Sequence, residues 1–363
     1  MESVTHSATG QRGPFFSLVI PAYGSARYLP KLFASLDAQT FRDFEVLFAV
    51  EESPDHSLQL CQDYAKGKDN VFVGSLRCSG AAGASRNWCY ARAKGRYLVP
   101  LDGDDWFDAD GLERLAVAIE KAQSPEVVIV TARVLLEAAD GTISPSGMIS
   151  NLPASADGAV LSGIELLRRI GRSGRHALNY AALNVVRTDF LRAHGLRQRV
   201  GLSSEDTEWV PRVWLSASRI AFLAHPYYNY RRHSGSVSNV HSPKILYSVA
   251  VILVSLMRFY EKLELPADVR RFVENDVMSI FCWYMTNDIY KNRFTDADRK
   301  DAIWIATSRD DRARFRRTLR SVSILKRIGL HLLLLGSRLR WFFPAKAYFR
   351  WIYYPLTQLK HRG

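Results

Sequence analysis

The sequence has few cysteines, no long apolar run and no export signal. Its four cysteines among 363 residues form no CxxC pair and no ligand spacing, which excludes a cysteine-ligated metal site and is typical of a reducing compartment. No uninterrupted apolar stretch reaches the ~18 residues that a helix needs to cross a bilayer. The first sixteen residues lack a basic segment followed by an apolar one. These absences predict a protein of the cytoplasmic side.

Acidic residues are missing from one end of the chain. Residues 312–363 hold 13 Lys and Arg and no Asp or Glu, so the net charge of +13 lies there and the first 311 residues are balanced. Between Ile324 and Phe342 the apolar residues recur at helical spacing within an arc of about 100°. Basic residues lie opposite, and aromatic residues follow. This pattern favours a basic helix on an anionic membrane surface over nucleic acid binding. A helix packed on the rest of the chain is the alternative.

Strands and helices alternate in the first half of the sequence. Apolar runs predict strands at 15–21, 45–50, 71–73 and 97–101, and helical patterns fall at 28–39, 57–66, 84–93 and 108–121. This alternation predicts a three-layer α/β/α fold around a parallel sheet. A further strand is predicted at 126–136, with a turn at Asp140-Gly141. Helices dominate beyond residue 160, with one more strand predicted at 219–223.

Three carboxylates follow the fourth predicted strand. The apolar run Tyr97–Leu101 ends in Asp102, Asp104 and Asp105, separated by one glycine. Open α/β sheets place ligands at the carboxyl ends of their strands, and carboxylates this close need a cation or a donor network. The turn therefore predicts a divalent cation that holds a phosphorylated molecule. The alternative is an Asp-rich turn that caps the helix predicted over Asp108–Lys121.

Charged residues also stand near the ends of other predicted elements. Glu51 and Glu52 end the second strand, where a carboxylate accepts a hydrogen bond from a base or forms a solvated acidic turn. Arg86 lies just inside a predicted helix, where a guanidinium and the helix N-terminus can both face an anion; an exposed arginine is the alternative. Glu205 and Asp206 open another helical pattern. They are candidates for a general base or for first-turn acids behind a serine cap.

Six motifs stand in a fixed order along the chain: Leu18–Tyr23, Val50–Ser53, Gly80–Asn87, Asp102–Asp105, Ser204–Glu208 and Tyr228–Ser236. In this order and at these spacings the chain resembles the family 2 glycosyltransferases, inverting enzymes of the GT-A fold. The resemblance covers residues 15–240, the expected GT-A domain. Composition and residue patterns predict a disordered tail at 1–14, a helical extension at 241–311 and the basic aromatic tail at 312–363.

The resemblance also implies roles for individual residues. Those expected to bind the nucleotide sugar are Pro21, Ala22, Tyr23, Glu51, Glu52, Arg86, Asp102, Gly103, Arg231 and Arg232. Asp104 is expected to hold Mn²⁺ or Mg²⁺ on the diphosphate, with Asp102 and His233 as further ligands. Asp206, or Glu205 beside it, is expected to take the proton of the acceptor hydroxyl. The Glu51-Glu52 pair departs from the family's usual Asp-Asp, so recognition of uracil is less well supported than the fold.

The expected protein is a metal-dependent glycosyltransferase, peripheral at the inner face of the cell membrane. It would move a sugar from a nucleoside diphosphate, UDP above all, to a glycan or lipid-linked acceptor in cell-surface polysaccharide or glycoconjugate synthesis. One alternative is a sugar-1-phosphate nucleotidyltransferase. Such an enzyme is expected to carry a Gly-rich signature after its first strand, and the segment Pro21–Ser25 does not contain one. The other is a non-catalytic, membrane-associated nucleotide-sugar-binding protein, against which the intact Asp102, Asp104 and Asp206 argue.

Overall fold

The computed structural model describes residues 13–233, 243–287, 309–318, 324 and 327–332. Its strands are β1 (Phe16–Ala22), β2 (Phe44–Glu51), β3 (Val71–Leu76), β4 (Tyr97–Pro100), β5 (Trp106–Phe107), β6 (Val127–Glu137), β7 (Ile143–Ile149), β8 (Val160–Leu161), β9 (Asn184–Arg187) and β10 (Ile220–Arg232). Its α-helices are α1 (Leu29–Asp37), α2 (Ser57–Ala65), α3 (Gly83–Arg92), α4 (Gly111–Lys121), α5 (Gly163–Arg172), α6 (Thr188–Ala193), α7 (Glu205–Ser216), α8 (Pro243–Glu261), α9 (Ala267–Asn287) and α10 (Arg309–Thr318). The predicted N-terminal tail, apart from residues 13 and 14, lies outside the described residues.

The strands form one mixed sheet in the order β3-β2-β1-β4-β9-β6-β10-β5, with β7 beside β6 and β8 beside β10. The first four strands pair in parallel, as the alternation predicts. The sheet as a whole is not parallel, because β9 runs antiparallel between β4 and β6. The segment between β8 and β9 contains α5 and a short 3₁₀ turn at 181–183. The α/β fold is thus confirmed, with a mixed sheet.

Helices cover both faces of the sheet. Successive residues of β1 point to opposite sides, so Leu18 and Ile20 enter the core beneath α1, α2 and α4, and Val19 enters the core beneath α3, α5 and α7. Burial on both faces explains why β1 is a continuous apolar run in the sequence rather than an alternating one. The result is the predicted three-layer arrangement.

Two predicted boundaries differ in ways that bear on the site. β10 was expected over 219–223 and instead continues to Arg232, with a register shift against β6 between Leu223 and Tyr228. The helix predicted from Asp108 begins at Gly111. The Asp108 carboxylate instead accepts hydrogen bonds from Asn229 Nδ2 (2.9 Å) and Arg133 Nη1 (3.3 Å).

A helical region follows the sheet and packs against it. α8 lies on α7, α9 lies on α5 and α8, and their apolar side chains enter the core on the α7 side. α10 is tied to α8 by a bidentate ion pair between Arg258 and Asp311, at 2.9 and 2.7 Å. In the short described part of the basic tail, Leu330 is buried in this core, whereas Ile324 and Ile328 are exposed. Most of the predicted tail helix and its aromatic residues lie outside the described residues.

No helix within the described ranges is both long enough and apolar enough to span a bilayer.

Candidate functional site

The predicted site residues gather at the carboxyl edge of the sheet. β1, β2 and β4 are parallel neighbours that end at Ala22, Glu51 and Pro100, so their ends lie side by side. β10 runs parallel to β6 and delivers its last residue, Arg232, at the same edge. α3 and α7 begin here as well, and they carry Arg86 and the 205–206 pair. The fold therefore brings the sequence motifs into one crevice; residues 234–236 of the last motif lie outside the described part of the chain.

The third carboxylate of the Asp102–Asp105 turn anchors it. Asp105 is buried and accepts hydrogen bonds from Tyr228 Oη (2.6 Å) and from the backbone N–H of Arg231 (2.7 Å), both on β10. Burial, and then the neighbouring Asp104 and Asp102, raise the pKa of Asp105 well above its usual value. Asp105 therefore ties the turn to β10, and its oxygens are engaged by the protein.

The same turn passes close to β1 at Gly103. A Cβ atom at Gly103 would lie 3.0 Å from Ser25 Oγ and 3.1 Å from the Pro21 carbonyl oxygen, so a side chain there would push the turn away from β1. The N-cap position of α4 belongs to Asp110, eight residues after Asp102, so none of the turn carboxylates occupies it. The helix-cap alternative therefore does not describe this turn.

The second carboxylate of the turn faces an imidazole. Asp104 Oδ2 lies 3.1 Å from His233 Nε2, while His233 Nδ1 lies 2.9 Å from Tyr28 Oη. The Tyr28 and His233 rings are also in contact, with centroids 4.4 Å apart. The hydroxyl on one ring nitrogen fixes the ring, so the other nitrogen is directed at the carboxylate.

Asp104 and His233 fit a divalent cation. A carboxylate oxygen beside an imidazole nitrogen, with the second ring nitrogen held by a polar partner, is typical of metal-binding histidines. Asp102, the predicted third ligand, is engaged elsewhere, because its Oδ1 lies 2.7 Å from Arg86 Nη2. Across the described ranges, no group of three or more His, Cys, Asp and Glu is arranged to hold a metal. The pair would therefore share the ion with phosphate oxygens.

Arg86 lies buried between two carboxylates. Besides its contact with Asp102, its Nη1 lies 2.7 Å from Glu205 Oε1. Burial acts to lower the pKa of Arg86, but Asp102 and Glu205 outweigh it and raise the pKa above the usual arginine value. In this structure the anions that face Arg86 come from the protein, and its role toward a diphosphate stays a prediction. The same ion pair engages Oε1 of Glu205, the second candidate for the base.

Asp206 faces a small cavity beside this ion pair. The cavity is lined by Arg86, Asp102 and Asp206, and by the aromatic and aliphatic side chains of Ala132, Ile149, Tyr180, Ala181, Ala182, Leu183, Tyr228 and Tyr230. Burial, and then the Glu205 carboxylate, raise the pKa of Asp206 from 3.8 to about 7. A carboxylate that exchanges its proton near neutral pH suits a general base.

The beginning of α7 is not held by a serine cap. Ser204 takes the N-cap position in a left-handed conformation, φ +59°, and its side chain makes no capping hydrogen bond. A residue other than glycine rarely adopts this conformation, and it recurs at functional sites. The backbone N–H of Ser203 instead donates to Ser248 Oγ on α8 (3.0 Å). The capping alternative for Glu205 and Asp206 is therefore not what the structure shows.

The strand ends that were expected to meet the base differ in accessibility. Pro21 and Ala22 are buried at the end of β1, and the next residue, Tyr23, is 52% exposed beyond the sheet edge. Glu52 is also exposed. An exposed ring beside strand-end backbone groups is a surface on which a planar base can lie.

Glu51 holds the loop that leads into α3. It is buried, and its carboxylate accepts hydrogen bonds from the Ser79 N–H (2.9 Å), Ser79 Oγ (2.7 Å) and Ser85 Oγ (2.9 Å). The exposed Glu52 is the more accessible of the two carboxylates. The base contact stays a prediction for both.

The two arginines at the end of β10 face opposite sides of the strand. Arg231 is buried, with Nη1 3.0 Å from Glu137 Oε2 and its guanidinium 4.8 and 4.9 Å from the rings of Tyr28 and Trp106. Arg231 thus packs inside the protein in this structure, and its contact with a diphosphate stays a prediction. Arg232, one residue on, is exposed. It keeps that expectation.

Sequence reasoning missed the aromatic side chains that shape the crevice. Tyr28 fixes His233, Tyr228 holds Asp105, and Tyr180 and Tyr230 line the cavity opposite Asp206. The alternation of Tyr228 and Tyr230 could have signalled one face of a strand, had that segment been assigned as β10. Tyr180 lies outside regular structure and gave no signal.

Comparison with known proteins relates part of the chain to a described family. Residues 17–152 match the model of glycosyl transferase family 2. The poly(ribitol-phosphate) beta-N-acetylglucosaminyltransferase TarS of Staphylococcus aureus is 27% identical over 241 residues, which is 64% of this chain and 39% of TarS. The poly(ribitol-phosphate) beta-glucosyltransferase of Bacillus spizizenii is 36% identical over 101 residues, 27% of this chain and 16% of that protein. The chain thus spans well under half the length of these relatives.

A solved structure shares the fold. The crystal structure of S. aureus TarS 1-349 in complex with UDP-GlcNAc superimposes with a TM-score of 0.69 at 20% identity, covering 92% of this chain and 91% of that one. The family model thus covers residues 17–152, and the chain has the GT-A fold of this TarS structure.

Proposed function

We propose that the protein is an inverting glycosyltransferase of cell-surface polysaccharide synthesis. It transfers a sugar from a UDP donor to a hydroxyl group of a glycan or lipid-linked acceptor. The observation that carries the proposal is the placement of Asp206. This carboxylate faces the crevice next to the Asp102–Asp105 turn, and its pKa is raised to about 7.

The proposed transfer is a single displacement. As the acceptor oxygen forms its bond to the anomeric carbon, the bond from that carbon to the diphosphate oxygen breaks and UDP leaves. The acceptor proton passes to the Asp206 carboxylate. Because one displacement occurs without a covalent intermediate, the configuration at the anomeric carbon inverts.

The rest of the crevice binds and orients the donor in this proposal. Tyr23 offers its exposed ring to the base, and Arg232 offers its guanidinium to the leaving diphosphate. Asp102 is held by Arg86 through Oδ1, and we assign its other oxygen to the ribose of the donor. Mn²⁺ or Mg²⁺, when held by Asp104 and His233, would neutralise charge on the diphosphate.

The relatives support a narrower donor and acceptor class. The names of the two relatives describe transfer of N-acetylglucosamine or glucose to poly(ribitol phosphate). We therefore propose UDP-N-acetylglucosamine or UDP-glucose as the donor and a polyol-phosphate polymer as the acceptor. These relatives are much longer than the matched segment, so the assignment rests on the shared domain alone.

We further propose that the enzyme works at the inner face of the cell membrane. The support is the charge and the aromatic content of residues 312–363. Within the described part of this tail, Ile324 and Ile328 expose their side chains, as residues of a lipid-facing side would.

A donor panel tests the proposal. The full chain is incubated with Mn²⁺, a ribitol-phosphate oligomer and, in separate reactions, UDP-N-acetylglucosamine, UDP-glucose, UDP-galactose and GDP-mannose. The expected result is UDP release that depends on the acceptor, together with a β-linked product by NMR if the donor is α-linked. Release of pyrophosphate from a sugar phosphate and UTP would indicate a nucleotidyltransferase instead. Binding of a UDP-sugar without release of UDP under any condition would indicate a non-catalytic protein.

A further inference from the structure

One side of α8 contacts two loops that border the crevice. Near its start, Lys244 Nζ lies 3.2 Å from the carbonyl oxygen of Gly80, in the loop before α3. One turn later, Ser248 Oγ accepts the hydrogen bond from the backbone N–H of Ser203, in the loop before α7. α8 is thus bonded to both segments that lead into the helices carrying Arg86 and Asp206.

A third contact of α8 reaches a buried charge inside α7. Glu208 is buried, with only 2% of its side chain exposed. Its Oε1 accepts hydrogen bonds from Ser255 Oγ of α8 (2.7 Å) and from Arg199 Nε (3.3 Å). Its Oε2 accepts from Arg212 Nη2 (2.6 Å) and Nε (3.1 Å). One carboxylate therefore joins three segments: α7, α8 and the loop before α7.

The carboxylate of Glu208 does more than fill space. A buried charge costs free energy unless it is fully paired, and an apolar side chain of similar size would pack this position without that cost. What the ionic network adds is direction, because each hydrogen bond fixes an orientation as well as a distance. Glu208 lies one helical turn after Glu205 and two residues after Asp206, so an orientation imposed on Glu208 is passed to the first turn of α7.

We propose that Glu208 is a positioning residue for Asp206. Through Ser255 it locks the first turn of α7 against α8, and this contact directs the Asp206 carboxylate into the crevice. The inference rests on the proposed role of Asp206 as the base. It assigns to the helical region after the sheet a function in catalysis, although none of its residues lines the cavity beside Asp206.

Removal of a single hydroxyl tests the inference in the full chain. Ser255→Ala deletes the α8 contact and leaves Glu208 its two arginines. Its kcat should fall about tenfold, while KM for the UDP-sugar changes by less than about twofold, since small displacements of a reacting group reduce rate more than binding. Ser255→Thr restores a hydroxyl and should recover most of kcat. Ser35→Ala is the matched control, because Ser35 is also a helical serine but its Oγ donates within its own helix, at Leu32.

The pH profile separates positioning from simple loss of stability. Arg86, Glu205 and Asp102 are the charged groups that face Asp206, and Ser255→Ala touches none of them. A loosened first turn admits water to Asp206, so the pH at which kcat falls should move downward in Ser255→Ala and stay unchanged in Ser35→Ala. Glu208→Gln is the second variant. It keeps an oxygen for Ser255 but loses the charge, and kcat should fall by about 10².

The outcomes are distinguishable. A lower thermal midpoint in Ser255→Ala with kcat and the pH profile of the wild type would overturn the inference and leave Glu208 a structural residue. An increase confined to KM would overturn it as well. If the wild-type protein transfers no sugar from any donor, the proposed function fails and the positioning role fails with it.

Discussion

Replacement of Asp206 by asparagine should abolish most of the activity without disturbing the site. The side chain keeps its shape but cannot take the proton of an acceptor hydroxyl. General-base assistance contributes about 10² to 10⁴ in rate, so the barrier should rise by about 3 to 5 kcal/mol. Binding of the donor should be nearly unchanged, since the ion pairs of Arg86 involve Asp102 and Glu205 rather than Asp206.

The raised pKa of Asp206 adds a pH dependence to this prediction. The wild-type kcat should fall about tenfold per pH unit below about 7, as the base becomes protonated. The same pKa shift makes the free energy of unfolding depend on pH. Because the pKa in the folded protein lies above the ordinary 3.8, the folded state binds more protons than the unfolded state, and stability falls as pH rises from about 4 to about 7. Asp206→Asn removes this loss, so the variant should melt at or above the wild-type temperature at pH 8.

The assay is UDP release at saturating donor and acceptor from pH 5 to pH 9, together with thermal unfolding at pH 4 and pH 8. Asp63→Asn serves as the control, because Asp63 is an exposed carboxylate on α2 that contacts Lys66 and Gln59. A variant that keeps more than a tenth of the wild-type kcat would refute Asp206 as the base. Loss of donor affinity with an unchanged kcat would instead place Asp206 among the donor-binding residues.

Three further perturbations follow from the contacts of the site. Asp104→Ala should abolish turnover at ordinary metal concentrations. EDTA should inactivate the wild-type protein, and adding Mn²⁺ or Mg²⁺ should restore its activity. Glu205→Gln leaves Arg86 buried with a single carboxylate, and because breaking a buried pair costs about 3–5 kcal/mol, its thermal midpoint should fall clearly below that of Asp206→Asn. Neutralising Arg338, Arg340, Lys346 and Arg350 to Gln in the full chain should weaken sedimentation with anionic vesicles, by about 1 kcal/mol per charge at low salt, while leaving transfer to a soluble acceptor intact.

Each of these has a contrary result. Full activity in EDTA would remove the metal from the proposal. A Glu205→Gln variant as stable as the wild type would mean that the Arg86–Glu205 contact contributes little. Equal binding to anionic and neutral vesicles by both proteins would place any membrane contact outside the basic tail.

The sequence was sufficient for the α/β layers and for the location of the crevice. β1 and β4 are continuous apolar runs that end in polar residues, and strand ends of an open sheet are where ligands gather. The Asp102–Asp105 turn and the pair at 205 and 206 were therefore found without coordinates. They indeed lie at the same edge.

The function of individual charges could not be derived in this way. Arg86 and Arg231 are both basic residues within sequence motifs. In the structure each is buried against a carboxylate that is distant along the chain. Arg86 pairs with Glu205, and Arg231 pairs with Glu137. Glu51 likewise reaches a loop almost thirty residues away. Spacing along one strand or helix predicts local neighbours, but these partners are set by how the helices pack across the sheet. The reversed β9 was missed for the same reason, since a strand of four residues carries no direction in its pattern.

The reversed strand has a consequence for how such an enzyme diversifies. β9 lies between β4 and β6 in the sheet. The turn after β4, which carries Asp102, is therefore separated from β6 by two strand spacings, roughly 10 Å. Since β9 runs the other way, the segment that enters it, Tyr180–Leu183, comes to the crevice edge between them and lines the cavity opposite Asp206. This wall of the crevice is thus encoded some eighty residues after the Asp102–Asp105 turn. Substitutions or insertions in it can therefore change the shape of the crevice opposite Asp206 while the ends of β1, β2 and β4 stay as they are.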